Sequence, residues 1–253
     1  MPSEADRHQK RVIRELFTRI ATRYDHINRL LSLGQDQVWR RKALDAAQVM
    51  KPTGRVPERM LDVATGTGDL GLLALAQTSG LQVIGVDLTP AMLYEARAKA
   101  LARNVVFPVT AGDGLALPFA DHTFDAVTSA FMMRNVPDVE GAFREQARVV
   151  RPGGRVVCLE MTWPRRFPMC WLFGFYFYIV PPLVGLLALG EQEAYHYLPR
   201  SVRSFLDPVS LAQRMARVGL RDVTWRTLML GTVIIHTGIK TLPSHGGSSD
   251  RNG

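Results

Sequence analysis

The stretch MLDVATGTGDLG, residues 60–71, decides the fold of this chain. An apolar run leads into three glycines, Gly66, Gly68 and Gly71, and the chain continues as GDLGLLALAQ, which predicts a helix. Glycine has no side chain and tolerates unusual dihedrals, so a glycine loop between a strand and a helix lets the backbone approach a ligand closely. The spacing G-x-G-x-x-G is typical of dinucleotide sites, but alone it is a weak signal.

Strand and helix patterns alternate after this loop. Further strands are predicted in LQVIGVD, VVFPVTAGD, FDAVTSAF and GRVVCLE, and Thr89 and Pro90 are typical of a helix start. Near the C-terminus, a helix that begins at Asp207 and stops at Gly219 precedes DVTWRTLML and TVIIHTGIK, which predict a strand hairpin. The predicted fold class is α/β, with a Rossmann-like, doubly wound, mostly parallel sheet that ends in a strand hairpin.

The remaining segments set the domain organisation. Between residues 11 and 32 apolar residues recur at steps of three and four, which predicts an amphipathic helical region, and DQVWRRKALDAA predicts a second, basic helix. We assign residues 1–54 to an N-terminal helical segment and lid, and 55–160 to the cofactor-binding core, which follows a KPTGRVPE linker. Residues 161–206 form an apolar insertion, 207–240 complete the core, and 241–253 are expected to be disordered.

Acidic residues around the glycine loop indicate the ligand. Asp87 ends the second predicted strand, where a carboxylate can accept hydrogen bonds from a ribose diol, while Asp62 opens the loop and Asp113 ends the third strand. Carboxylates suit the sulfonium and ammonium charges of S-adenosylmethionine, whereas the phosphates of a dinucleotide would be repelled by Asp62 and Asp69. This favours the class I S-adenosylmethionine-dependent methyltransferase fold. The alternative for Asp62 is an acid that braces the loop and touches no ligand.

Seven residues are the candidate cofactor contacts. They come from the loop and from the ends of the neighbouring strands: Asp62, Gly66, Thr67, Gly68, Asp87, Asp113 and Gly114.

Several segments resemble, in this order, the C-methyltransferases of menaquinone and ubiquinone biosynthesis: FTRIATRYDHINRLLSLGQDQVWRR, LDVATGTGDL, GDGLALPFADHTFDAV, RNVPD, RVVRPGGRVVCLE and AYHYLPRSV. The resemblance runs from about residue 17 to about residue 240. It implies that Thr67, Asp87, Asp113 and Gly114 contact S-adenosylmethionine. It also implies that a prenylated quinol is methylated on a ring carbon. Demethylmenaquinol is the first candidate substrate, and a methoxy-polyprenyl benzoquinol or another small molecule is the alternative.

Four residues are candidates for the chemistry on the quinol. Arg134 and Asn135 follow the fourth strand and could hydrogen-bond the developing oxyanion; the alternative is that Asn135 only holds a turn. Tyr24 and Tyr195 lie in the proposed lids and could donate to the quinol or relay its proton. His196 is more typical of a packed polar residue. The sequence does not identify the general base.

The segment FPMCWLFGFYFYIVPPLVGLLALG, residues 167–190, has 24 residues and no charge. Its length permits a membrane span, but Pro181 and Pro182 remove two backbone donors and are expected to break the helix into pieces too short to cross. Ordinary buried core helices are one alternative. We favour a lid that lines an apolar pocket or touches a membrane surface.

Charge and cysteine content bound the location and the partners. A net charge of +8 and a pI near 9.9 favour an anionic partner, and a lipid substrate favours transient contact with a membrane surface over nucleic acid. Four arginines are available on the polar side of the N-terminal helix: Arg11, Arg14, Arg19 and Arg23.

Cys158 and Cys170 have no disulfide or metal-ligand spacing and are predicted to be core residues in a reducing compartment. With no signal peptide in the charged N-terminus, the expected location is cytoplasmic, peripheral at the inner face of the membrane. The sequence does not decide whether the protein forms a homodimer. Two other functions stay as alternatives: a nicotinamide oxidoreductase and a non-enzymatic membrane or nucleic-acid binding module.

Overall fold

The structure, a computed structural model, describes residues 3–49, 58–165, 167–189 and 192–241, without the side chains of 181–196. Most of the predicted KPTGRVPE linker and nearly all of the predicted disordered tail lie outside the described residues. In the described part, seven strands form one sheet: β1 (Arg59–Val63), β2 (Gln82–Asp87), β3 (Val109–Ala111), β4 (Phe124–Ala130), β5 (Val150–Met161), β6 (Leu220–Leu228) and β7 (Val233–Lys240).

The strand order is β3-β2-β1-β4-β5-β7-β6. The first five strands of this order pair in parallel, and β7 pairs antiparallel with both β5 and β6. This confirms the predicted doubly wound sheet with a terminal hairpin. Because the chain leaves β1 toward β2 on one side and returns to β4 on the other, a crevice opens at the carboxyl ends of these strands.

The helices of the described chain are α1 (Glu4–Ile20), α2 (Tyr24–Ser32), α3 (Gln35–Ala46), α4 (Asp69–Gln77), α5 (Pro90–Ala102), α6 (Val139–Val149), α7 (Met169–Leu189), α8 (Gln192–Ser204) and α9 (Pro208–Arg217). Two hydrophobic clusters lie on opposite faces of the sheet. One joins α3, α4 and α5 to the strands, and the other joins α6 and α9 to them. The sheet is therefore covered on both sides, and α1, α2 and α7 remain free to build the ligand site.

Thr89 and Pro90 start α5 as predicted, although the Thr89 side chain makes no capping hydrogen bond. Two other local predictions were wrong. The predicted break at Pro181 and Pro182 does not occur, because α7 continues through both positions; a proline removes one backbone donor, but the chain on either side can keep its helical hydrogen bonds. Cys158 is buried as predicted, whereas Cys170 is partly exposed on the outer side of α7.

The third predicted strand is shorter than expected. The sequence pattern covers residues 105–113, but β3 spans only Val109–Ala111. Pro108 cannot donate to a ladder, although its carbonyl accepts from the backbone N–H of Gly85 at 2.9 Å.

No helix that the structure describes with its side chains is both long enough and apolar enough to span a membrane.

Candidate active site

A cavity opens where the strand order reverses, at the carboxyl ends of β1, β2 and β4. Four of the predicted cofactor residues line it: Gly66, Asp87, Asp113 and Gly114. The N-terminal helices supply four further lining residues: Lys10, Ile13, Phe17 and Tyr24. The N-terminal segment therefore forms one wall of this cavity, which we call the first cavity.

Asp87 holds the glycine loop in place. Its carboxylate accepts from the backbone N–H of Gly66 at 2.8 Å and from the backbone N–H of Thr89 at 2.8 Å. Burial raises the pKa of Asp87, although these backbone hydrogen bonds act in the opposite direction. The side chain also lines the first cavity, so it can accept from a ligand hydroxyl on the side away from the loop.

Asp62 does not reach the first cavity. It is fully buried, and its carboxylate accepts from the hydroxyls of Thr65 at 2.7 Å and Thr128 at 3.1 Å. Burial raises the pKa of Asp62 to about 6. The structure thus places Asp62 as an acid that braces the loop from behind, which is the alternative that the sequence left open, and Asp62 is not among the residues that line the first cavity.

Thr67 also points away from the first cavity. Its hydroxyl donates to Asp25 of α2 at 2.5 Å and accepts from the ammonium of Lys99 at 3.1 Å. The Lys99 ammonium in turn donates to Asp25 at 2.7 Å and to Asp69 at 2.5 Å. In this structure the Thr67 hydroxyl ties the glycine loop to α2 and α5 through a charged cluster, and Thr67 is not among the residues that line the first cavity.

Gly68 and Gly71 serve packing. A Cβ atom on Gly68 would lie 2.8 Å from the Phe107 ring, and one on Gly71 would lie 2.5 Å from the same ring. Gly68 also has a positive φ of 81°, which disfavours other residues. Neither glycine lines the first cavity, so the third glycine of the fingerprint reflects helix packing rather than phosphate binding.

Asp113 and Gly114 lie on the opposite wall of the first cavity. Asp113 accepts from the ammonium of Lys10 in α1 at 2.5 Å and from the backbone N–H of Leu115 at 2.9 Å. A Cβ on Gly114 would lie 2.1 Å from the terminal methyl of Met132, so the wall has room only for glycine while Met132 keeps this position. The contact from Lys10 was missed, because the spacing of α1 shows which face is apolar but not which lysine reaches the sheet.

A second cavity adjoins the first. The two share Tyr24 and Phe131 among their lining residues. The second cavity is bounded by α2, α3, α7 and the segment after β4, and its apolar walls include Trp39, Met161, Phe177 and Leu198. Its polar lining residues are Asn28, Ser32, Asp36, Arg40, Arg134 and Tyr176, together with the shared Tyr24.

Arg134 lies in the second cavity and not in the first. Its guanidinium donates to the carboxylate of Glu160, which is fully buried at the end of β5. The guanidinium carbons of Arg134 and Arg40 lie 5.7 Å and 5.6 Å from the centre of the Phe131 ring. Two fixed cations therefore border the junction of the two cavities, and Glu160 orients one of them.

Asn135 holds a turn, as the alternative interpretation had it. Its side-chain amide donates to the carbonyl of Phe131 at 3.1 Å, and its side-chain carbonyl accepts from the hydroxyl of Tyr197 at 2.9 Å. It still lines the first cavity. Tyr24 lines both cavities, whereas the side chains of Tyr195 and His196 lie outside the described residues.

Comparison with known protein families decides the assignment. The model of the ubiE/COQ5 methyltransferase family matches residues 4–240. The chain belongs to that family. The match includes both the glycine loop and the N-terminal helices, which together line the first cavity of this methyltransferase.

Two relatives of this methyltransferase match over almost their whole length. The demethylmenaquinone methyltransferase of Thermus thermophilus is 45% identical over 88% of this chain and 99% of its own. The ubiquinone/menaquinone biosynthesis C-methyltransferase UbiE of Paracoccus denitrificans is 35% identical over 93% of each chain.

A solved structure shows the same fold. Phosphoethanolamine N-methyltransferase 2 of Haemonchus contortus, in complex with S-adenosyl-L-methionine, aligns with a TM-score of 0.60 at 15% identity. The alignment covers 80% of this methyltransferase and 53% of that chain. At this identity the likeness concerns the fold alone, and it agrees with the predicted class I methyltransferase fold.

Proposed function

We propose that this protein transfers a methyl group from S-adenosylmethionine to a ring carbon of a prenylated quinol, with demethylmenaquinol as the substrate. The observation that carries the proposal is the pair of adjoining cavities that share Tyr24 and Phe131. One cavity is lined by strand-end carboxylates and the other by apolar side chains with two arginines. The family and the name of the Thermus thermophilus relative support this assignment.

The first cavity suits S-adenosylmethionine. The carboxylates of Asp87 and Asp113 line it, and they match the hydroxyls and positive charge of that molecule. A Cβ on Gly66 would meet nothing within 4 Å, so the loop backbone lies open to a ligand there. S-adenosylmethionine supplies an electrophilic methyl group when bound. We assign its binding to Gly66, Asp87, Asp113 and Gly114.

The second cavity suits a quinol ring. A ring carbon is a poor nucleophile until a neighbouring hydroxyl gives up its proton, and the guanidiniums of Arg40 and Arg134 can stabilise the resulting oxyanion. Apolar walls that exclude water strengthen these interactions and hold the ring toward the junction of the cavities. Glu160 holds the guanidinium of Arg134 in place, so this cation does not have to move during the reaction.

A benzoquinol of ubiquinone biosynthesis is the second candidate substrate. The Paracoccus denitrificans relative is named for both ubiquinone and menaquinone biosynthesis, and this name supports the second candidate. The mixed walls of the second cavity would accept either ring.

We propose further that the outer face of α7 contacts an anionic membrane surface, from which the quinol reaches the site. Phe167, Trp171 and Phe175 on this face are 83%, 65% and 62% exposed. Arg203 lines the same surface groove, Arg165 closely precedes it in sequence, and the chain carries a net charge of +8. Exposed aromatics next to arginines are typical of surfaces that enter the headgroup region of a bilayer.

The activity is tested by incubating the purified protein with isotope-labelled S-adenosylmethionine and reduced demethylmenaquinone. We expect label in the quinone, and we expect Asp87→Ala to lose both this activity and the binding of S-adenosylhomocysteine. Glu140→Gln, on the outer surface of α6, is the matched control that keeps both. Label that enters an unrelated phenol or acid but not the quinone would overturn the substrate assignment. Binding of NADH in place of S-adenosylhomocysteine would overturn the cofactor assignment.

A further inference from the structure

We propose that Asp36 is the general base that takes the proton from the quinol hydroxyl. The inference rests on the proposed function and names the group that the sequence left unidentified. Asp36 is the second residue of α3 and is 3% exposed, and its side chain lines the second cavity together with Tyr24 and Arg134.

Other acids near the site are excluded by their positions. Asp87 and Asp113 line the first cavity, where the carboxylate of Asp113 is paired with Lys10. Glu160 is fully buried against Arg134 and lines neither cavity, and Asp62 is enclosed behind the glycine loop. Among the residues whose side chains the structure describes, Asp36 is the only carboxylate that lines the second cavity.

The carboxylate of Asp36 is fixed but not fully occupied. One oxygen accepts from the hydroxyl of Ser32 at 3.0 Å, and the other accepts from the side-chain amide of Gln37 at 3.1 Å. A carboxylate can accept about four hydrogen bonds, so lone pairs remain for a ligand.

Arg40 provides the second, independent sign of a ligand. Its Nε atom is buried without a hydrogen-bond partner and lies 3.8 Å from a carboxylate oxygen of Asp36, which is too far for a hydrogen bond. Buried donors are almost always satisfied. A quinol hydroxyl bound between these groups would donate to Asp36 and accept from Arg40, and both would then be satisfied.

The proposed step conserves protons and electrons. The quinol hydroxyl gives its proton to Asp36, and the electron pair of the ring carbon forms the new bond to the methyl group while the sulfur–carbon bond breaks and leaves its pair on sulfur. The hydrogen on the methylated ring carbon then leaves as a proton to water, and Asp36 returns its proton to the ring oxygen. Arg40 and Arg134 stabilise the oxyanion formed between these events.

The test compares Asp36→Asn with the wild type over pH 6 to 10. General base catalysis contributes about 10²–10⁴ in rate, so kcat at pH 7 should fall by at least about 100-fold while the affinity for S-adenosylhomocysteine changes little. Because hydroxide replaces the missing base, kcat of the variant should rise about tenfold per pH unit, while that of the wild type levels off. Asp36→Glu should keep a profile that levels off.

Asp45→Asn is the matched control. Asp45 is the other acidic residue of α3, but it lies in the C-terminal half of the helix and lines a different surface groove. It should keep the wild-type rate and profile. An Asp36→Asn variant that binds S-adenosylhomocysteine normally and either keeps kcat within tenfold or shows the wild-type pH profile would overturn the proposal. Should Asp36→Asn fail to fold, an Asp36→Glu profile that rises without levelling off would overturn it instead. If the wild type and Asp45→Asn also leave the quinol unlabelled, the proposed function itself fails, and with it the role of Asp36.

Discussion

Asp62 shows at the scale of a single residue how the fold keeps a charge away from the ligand. The acid is buried behind the glycine loop, and burial raises its pKa from 3.8 to about 6, although hydrogen bonds from Thr65 and Thr128 act in the opposite direction. Because the folded pKa lies above the unfolded one, the folded state binds a proton that the unfolded state loses between these values. Asp62 therefore lowers the free energy of unfolding as the pH rises from about 4 to about 6.

This predicts the behaviour of Asp62→Asn, which stays neutral at every pH. The difference in the free energy of unfolding between variant and wild type should move by about 3 kcal/mol in favour of the variant from pH 4 to pH 6, and stay constant above. Urea unfolding at several pH values measures it. Asp207→Asn is the comparison variant. Hydrogen bonds from Ser210 lower the pKa of Asp207, so this substitution should not raise the free energy of unfolding between pH 4 and pH 6. A difference that does not change with pH would contradict the account.

Asp36 and Arg40 mark the limit of prediction at the residue scale. The segment DQVWRR shows a basic helix, and nothing in its spacing distinguishes the two side chains that enter a cavity from those that face solvent. Asp87 and Asp113 could be predicted, because the carboxyl end of a parallel strand is a position that local sequence defines. Thr67 could not, since its hydroxyl is bound by Asp25 and Lys99, which are distant in sequence.

At the scale of elements, one cluster joins the N-terminal lid to the glycine loop. The ammonium of Lys99 in α5 contacts Asp25 of α2, Thr67 of the loop and Asp69 of α4. Burial alone would raise the pKa of Asp69, but the charges of Arg40 and Lys99 outweigh it and lower that pKa. The cluster thus fixes α2, and with it Tyr24, against the loop.

Lys99→Met should release α2 from the loop. It leaves Asp25 and Asp69 close together without their shared cation, and we expect a loss of about 2 kcal/mol in the free energy of unfolding. The affinity for S-adenosylhomocysteine should fall about tenfold, because one wall of the first cavity loses its anchor. Thermal unfolding and calorimetry measure the two effects. Lys99→Arg, which keeps the charge, should recover most of both; equal losses in the two variants would contradict an electrostatic role.

The elements themselves were largely predictable. Strand runs and turn signals are local, and the sheet, its hairpin and the helices on both faces follow from them. The second cavity was not predictable in its details, because it needs side chains from α2, α3, α7 and the segment after β4 at once. The continuous α7 was not predictable from local sequence, because a double proline is normally a helix break, whereas α7 spans Met169–Leu189.

At the scale of the whole molecule, the proposed membrane contact predicts how the protein binds lipid vesicles. The outer face of α7 exposes Trp171 and Phe175 beside basic residues, in a chain with a net charge of +8. Trp171→Ser combined with Phe175→Ser should lower binding to anionic vesicles about tenfold or more, since burying two aromatic side chains contributes more than 1.4 kcal/mol.

Vesicle sedimentation at low and high salt measures this binding. Wild-type binding should weaken with salt without disappearing, because the apolar part is not screened. Leu101→Ser, which changes an 83% exposed residue of α5, is the control that should bind as the wild type does. Equal binding by the control and the double variant would contradict a role of α7 at the membrane.

The central claim is that a methyl donor and a quinol ring meet at the junction of the two cavities. A crystal structure of the protein with S-adenosylhomocysteine and a short-chain demethylmenaquinol tests it most directly. We predict the sulfur in the first cavity, facing the unsubstituted ring carbon across Tyr24 and Phe131, with the ring in the second cavity beside Arg134. A ring bound outside the second cavity, or a sulfur that faces away from it, would contradict the account.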